Sequence, residues 1–155
     1  STGLSDEEFV EKMNAMAKTL GMMESSFVEP TGLDAANLST AHDVAILTRT
    51  AMNFDDIREP LTQTEHTMLR RNSDDDKTEV TVRTTNRLVK NHDPHVIAGK
   101  TGFTYEAGHC LATLGTNPDG NKLIVVVLGG PDETVRFEET QLLLNWAYDH
   151  YTWDK

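Results

Sequence analysis

Lys100, Thr101 and Gly102, followed by Phe103 and Thr104, stand where a strand-like run meets a glycine-interrupted stretch. Lys100 offers fixed positive charge, Thr101 a hydroxyl and Gly102 an unobstructed backbone. Together they put a cation, a hydrogen-bonding hydroxyl and room for close backbone approach at one strand end. Alone, the tripeptide is short enough to arise by chance, and a strand-end lysine in a turn needs no chemical role. The other reactive side chains have simpler readings. His92 and His95 have tolerable ligand spacing, but no second cluster accompanies them and a zinc site needs three or four convergent ligands. His109, inside a strand-like run, reads as a packed or hydrogen-bonded histidine. Cys110, between His109 and Leu111, reads as a small buried thiol rather than a nucleophile. The run Asp74, Asp75, Asp76 lacks the glycine and distal glutamate of a calcium loop and reads as a solvated turn. No metal and no cofactor are expected.

The elements that must position these groups belong to a chain of 155 residues, the size of one ordinary domain. With 37% apolar and 25% charged residues it can bury a core. A formal net charge of -11 excludes the Lys/Arg excess that nucleic acid demands and disfavours anionic lipid. No apolar run is long enough to span a bilayer. The chain begins at Ser1 with neither a methionine nor a signal-peptide pattern, so its start and any targeting signal are expected upstream.

Phe9, Val10, Met13, Met16, Ala17 and Leu20 repeat at helical spacing behind Ser5 and three acidic residues, with Gly21 as a stop. Pro30 and Gly32 punctuate a loop at 27–34. Thr40 with Asp43 resembles a capping box for a second helix carrying Val44, Ala45, Leu47, Thr48, Ala51 and Met52. From 55 to 77 the pattern breaks up into a short strand at 64–69 and a polar turn at 72–77. The alternation at 79–83 suits a strand paired with it. Strands follow at 96–101, 109–116 and 122–129, the last two joined by an Asn117-Pro-Asp-Gly120 turn, and they read as an antiparallel sheet. A helix introduced by Asp132 presents Phe137, Leu143, Leu144, Ala147 and Tyr151 and is expected to pack across that sheet. Trp146, Tyr148, Tyr151 and Trp153 then read as its core and rim rather than a sugar platform.

Taken in order, FVEKMNAMAKTLGM at 9–22, PTGLD, STAHD at 39–43, AGKTGFTYEAGHCL, IVVVLGG and an arginine before a helix resemble the low-molecular-weight serine D-alanyl-D-alanine carboxypeptidases. K-T-G is the third signature element of serine β-lactamases and penicillin-binding proteins. The resemblance implies an α+β, β-lactamase/transpeptidase-like fold, an antiparallel sheet flanked by helices, with 1–155 as the C-terminal part of a single catalytic domain. It implies that Lys100 supports electrostatics and proton transfer around a serine nucleophile and that Thr101 binds substrate. Gly102 would admit the acyl group, the Phe103 N–H would be one oxyanion-hole donor, and Thr104 would complete the substrate-binding stretch. Arg136 would face the terminal D-alanine carboxylate, where a guanidinium offers paired donors, although an arginine in a helix's first turn also serves surface packing.

The same resemblance calls for an S-x-x-K nucleophile element and an S-x-N element. None of Ser1, Ser5, Ser25, Ser26, Ser39 and Ser73 has a lysine three residues later or an asparagine two residues later. Thr84-Thr85-Asn86 has a loose T-x-N form, but it lies just ahead of Lys100, where the family does not place that element, and Asn86 reads as structural. The expectation is a substrate-binding side without its nucleophile, inactive alone, with peptidoglycan stem peptides and β-lactams as ligands. Its partner is expected to be the missing N-terminal part or, failing that, a second copy of itself. The family acts outside the bacterial cytoplasmic membrane, and that is the expected location. Two other readings stand beside this one: a non-catalytic remnant that binds stem peptide, and a serine β-lactamase, which PTGLD, STAHD and the AGHCL block fit less well.

Overall fold

The computed structural model describes residues 3–71 and 77–153. Helix α1 spans Asp6–Leu20. Ser5 caps it through a full capping box, its Oγ accepting from the Glu8 N–H while Glu8 accepts from the Ser5 N–H. Gly21, in the left-handed region at φ 86°, ends it. Helix α2, Ala41–Ala51, is capped by Thr40, whose hydroxyl accepts from the Asp43 N–H. The reciprocal half of that box does not form. The Asp43 carboxylate turns away and accepts from the Glu24 N–H at 2.9 Å and the Ser25 hydroxyl at 2.8 Å, tying α2 to the end of α1. Burial there pushes its pKa up, but these hydrogen bonds and the neighbouring His42 outweigh burial and hold it below the usual carboxylate range.

Two elements went unread in the sequence. Helix α3, Asp55–Thr62, contains Pro60 and no buried residue, so neither a clean period nor an apolar stripe announces it. Helix α4, Arg87–Lys90, has four residues and is capped by Asn86, whose Oδ1 accepts from the Leu88 N–H at 3.0 Å. Between them β1, Glu65–Arg71, and β2, Lys77–Arg83, form the expected antiparallel hairpin, solvated on both faces. The polar turn and the aspartate run expected between them lie mostly outside the described residues.

The sheet at the centre is β3 (Val96–Thr104), β4 (Gly108–Thr116) and β5 (Lys122–Gly130), antiparallel in that order, so among the described residues β3 carries a free edge. The Asn117–Gly120 turn joins β4 to β5, with Gly120 at φ 83°. On one face, Met52, the C-cap of α2, packs with Ala98 and Leu114. On the other, helix α5, Val135–His150, lays Phe137 against Leu88 and Leu111, and Leu144 against Val125 and Val127. Burying Leu144 to 1% exposure stabilises the helix–sheet contact by about 1.5–3 kcal/mol. The expected helix from Asp132 starts three residues later. Asp132 instead accepts the Thr134 and Val135 N–H groups at 2.7 and 3.1 Å ahead of it. The inward face also differs. Arg136, Phe137, Thr140, Leu144 and Ala147 are buried, whereas Leu143 and Tyr151 are exposed. Hydrophobicity alone had placed Leu143 and Tyr151 inside, because it carries no signal for the polar contacts that draw Arg136 and Thr140 under.

Candidate substrate-binding site

Alternation along β3 sends successive side chains to opposite faces of the sheet. Gly99 and Thr101 face the segment leading into α4. There the Thr101 hydroxyl shares a hydrogen bond of 2.6 Å with the Thr85 hydroxyl. Lys100 is exposed, with its ammonium donating to the Thr101 carbonyl at 2.5 Å. Phe103 stacks on His109, its cross-strand partner, at 4.2 Å between ring centres, so His109 is the packed histidine its position suggests. The Thr104 hydroxyl accepts from the Ala107 N–H at 3.1 Å and closes the β3–β4 turn.

Arg136 sits 34 residues further along the chain, yet its Nη1 donates to the Gly102 carbonyl at 3.1 Å. The first turn of α5 thus lies behind the K-T-G strand end, and only 5% of Arg136 is exposed. Its guanidinium lies over the Phe137 ring, 4.8 Å from the centroid. Two charged neighbours that the sequence reading passed over complete the cluster. Glu133 reaches Arg136 at 3.6 Å and Arg87 at 3.1 Å, and the Arg87 guanidinium also lies over the Phe137 ring, 5.6 Å from its centroid. The spacing of three residues between Glu133 and Arg136 was a legible hint; nothing local linked Arg87 to either.

Asn86 is 2% exposed, consistent with its structural reading, and a side chain at Gly99 would come within 2.6 Å of its Nδ2. The absence of a Cβ at Gly99 lets Asn86 pack beneath the strand and brings Thr85 alongside Thr101.

Beyond Thr104 a cleft of about 430 Å³ opens between the end of the sheet and the 32–39 loop, with Cys110 and Leu128 among its lining residues. The loop is shaped by one carboxylate. Glu29 accepts from the N–H groups of Thr31, Gly32, Leu33 and Asp34, from the Thr31 hydroxyl and from the Asn37 amide. The Thr31 hydroxyl is the largest cause, and together with the backbone donors it outweighs the opposing desolvation and holds the pKa down at about 2. A larger cavity of about 490 Å³ between α2 and β5 contains none of the K-T-G residues.

Among the described residues, no group of three or more His, Cys, Asp or Glu side chains is arranged to hold a metal ion. His95 bonds Asn145 at 3.1 Å and packs edge-on against Tyr148. No helix among the described residues is long and apolar enough to cross a membrane.

The model of one protein family, D-alanyl-D-alanine carboxypeptidase, matches residues 2–132. Over 148 residues the chain is 36% identical to the D-alanyl-D-alanine carboxypeptidase DacF of Bacillus subtilis, covering 95% of this chain and 36% of that protein. It is 35% identical over 138 residues to a D-alanyl-D-alanine endopeptidase of Pseudomonas aeruginosa, covering 89% of this chain and 43% of that one. The chain therefore spans less than half the length of these two relatives. Among solved structures, the Streptomyces K15 DD-transpeptidase superposes with a TM-score of 0.84 at 25% identity, over 92% of this chain and 55% of that one. A D-alanyl-D-alanine carboxypeptidase from Mycobacterium tuberculosis shares the fold with a TM-score of 0.77 at 24% identity, over 92% of this chain and 53% of that one.

Proposed function

The chain belongs to the D-alanyl-D-alanine carboxypeptidase family, and from that premise we propose that it is the substrate-binding, C-terminal part of one catalytic domain whose nucleophile lies in residues outside it. The whole enzyme removes the terminal D-alanine from peptidoglycan stem peptides. A serine oxygen attacks the carbonyl carbon of the D-Ala-D-Ala bond, the C–N bond breaks, and D-alanine leaves with the proton taken from the serine. Water then hydrolyses the acyl ester. Penicillins form the same kind of ester and are released slowly.

The single observation that carries this reading is the bond from Arg136 to the Gly102 carbonyl, which joins two cationic elements far apart in sequence at one strand end. Along the free edge of β3 a peptide gains main-chain hydrogen bonds. Lys100 supplies positive charge beside the reacting serine, Thr101 and Thr104 offer hydroxyls, and Arg136 receives the terminal carboxylate. The Phe103 N–H and the nucleophile's own N–H stabilise the oxyanion; losing one oxyanion-hole donor costs roughly 3 kcal/mol of barrier in subtilisin. Gly102 leaves room for the acyl group. Such an enzyme works on the outer side of the bacterial cytoplasmic membrane, where its substrate is. A second reading, a stem-peptide binder without chemistry, is favoured by one observation: no serine of this chain has a lysine three residues later.

The test is the intact mass of every polypeptide in the sample before and after excess penicillin. No adduct is expected on this chain, and one is expected on a chain that supplies S-x-x-K and assembles with it. An adduct on this chain would overturn the assignment of the nucleophile. Binding of a D-Ala-D-Ala peptide without an adduct on any assembled chain would support the non-catalytic reading instead.

A further inference from the structure

Arg136 as a carboxylate receptor raises a steric question, because its guanidinium is buried and one of its outer nitrogens already faces an anion. Nη2 lies 3.6 Å from Glu133 Oε1, an ion-pair distance too long for a hydrogen bond. The same carboxylate holds Arg87 Nη2 more closely, at 3.1 Å through Oε2. Arg87 is further anchored by the Thr134 hydroxyl at 3.4 Å and by the Phe137 ring. The backbone around Glu133 is fixed, since Asp132 accepts two N–H groups of the turn, so the Glu133 side chain moves more easily than its backbone. The side chains of Glu133 and Arg87 are both about half exposed, while that of Arg136 is 6% exposed.

Resting on the reading of Arg136 as the receptor, we propose that Glu133 is a displaceable counter-ion covering it and that Arg87 is the cation that holds Glu133 aside when a substrate carboxylate arrives. Glu133 and Arg87 are then specificity-determining residues. Glu133 keeps Arg136 neutralised until a better-aligned carboxylate replaces it, and Arg87 tips that exchange toward the ligand. A free carboxylate offers Arg136 two acceptors in its plane, which Glu133 at 3.6 Å does not. An amide-ended peptide lacks the charge needed to displace Glu133.

The experiment is an NMR titration of this chain assembled with the N-terminal part that completes the domain, its nucleophilic serine replaced by alanine, using an acetylated tripeptide ending in D-Ala-D-Ala and the same peptide amidated at its C-terminus. Glu133→Gln is expected to tighten binding of the free-carboxylate peptide by about 2- to 5-fold, the range of a half-exposed ion pair, and to leave the amide unchanged. Arg87→Met is expected to weaken the free-carboxylate peptide by a similar factor, and the double variant to bind as tightly as Glu133→Gln, because Arg87 acts only through Glu133. A double variant as weak as Arg87→Met would overturn the proposal by showing that Arg87 touches the ligand itself. Weaker binding in Glu133→Gln would also overturn it, making Glu133 a support for Arg136. The underlying reading fails separately: if the unmodified chain does not distinguish acid from amide, or Arg136→Gln leaves that distinction intact, Arg136 is not the receptor and the proposal falls with it.

Discussion

Glu29 is the residue whose chemistry its surroundings change most among those that shape the cleft. Six donors converge on its carboxylate, and they exist together only when the 29–37 backbone is folded. Its pKa is lowered from 4.5 to about 2, with the Thr31 hydroxyl the largest cause. A depressed carboxylate pKa means that the stability it contributes is complete above the unfolded value and is lost as pH falls through the folded one. The loop is therefore expected to loosen between pH 4.5 and about 2, read by NMR as collapse of the dispersed Thr31 to Asp34 amide signals. In Glu29→Gln the amide signals at neutral pH should already resemble those of the acid form, with the pH dependence gone. A variant that keeps a dispersed loop would show that the rest of the turn suffices.

At the scale of elements, glycines set how closely helices approach the sheet. A Cβ at Gly115 would meet Leu144 Cδ2 at 2.4 Å, the His95 carbonyl at 3.0 Å and the Tyr148 hydroxyl at 3.1 Å. Gly115→Ala should therefore push α5 off β4 and cost about 1–3 kcal/mol, measured by denaturant unfolding. Since α5 carries Arg136, the same variant should weaken peptide binding beyond its effect on stability. Gly99→Ala meets Asn86 Nδ2 at 2.6 Å and the Ala112 carbonyl at 3.0 Å, and is expected to displace the Thr85 hydroxyl from Thr101. Loss of binding with little change in fold would be seen as lower peptide affinity at unchanged circular dichroism. At the other end, Ser5→Ala removes one half of the α1 capping box and should cost about 1 kcal/mol, leaving peptide binding unaltered.

At the scale of the whole molecule, several apolar side chains face solvent. Met16, Met23, Phe54 and Leu142 are each more than half exposed. The sheet of β3, β4 and β5 has an outer edge at each end, and such edges pair readily with other strands. These features fit the proposal that further chain packs here. The expected outcome is self-association of the isolated segment, or a stoichiometric complex once an N-terminal part bearing S-x-x-K is supplied, both read by light scattering. A stable, monodisperse monomer that ignores the added part would count against it.

By itself the sequence determined what is local. Periodicity and caps located α1 and α2, alternation and turn chemistry located β1 to β5, and a run of matched blocks identified the family and hence the fold. Each of these signals is written over a few neighbouring residues, so one chain read in order contains it. Helix α3 escaped because Pro60 and the lack of a buried stripe erase its pattern, and α4 because four residues hold barely one turn. Only the tertiary structure decided which side of α5 faces inward, that Arg136 bonds the Gly102 carbonyl, and that Glu133 stands between Arg136 and Arg87. The contacts of Arg136 with Gly102 and of Glu133 with Arg87 join segments that meet only after α5 lies across the sheet, so packing creates them and no local pattern encodes them.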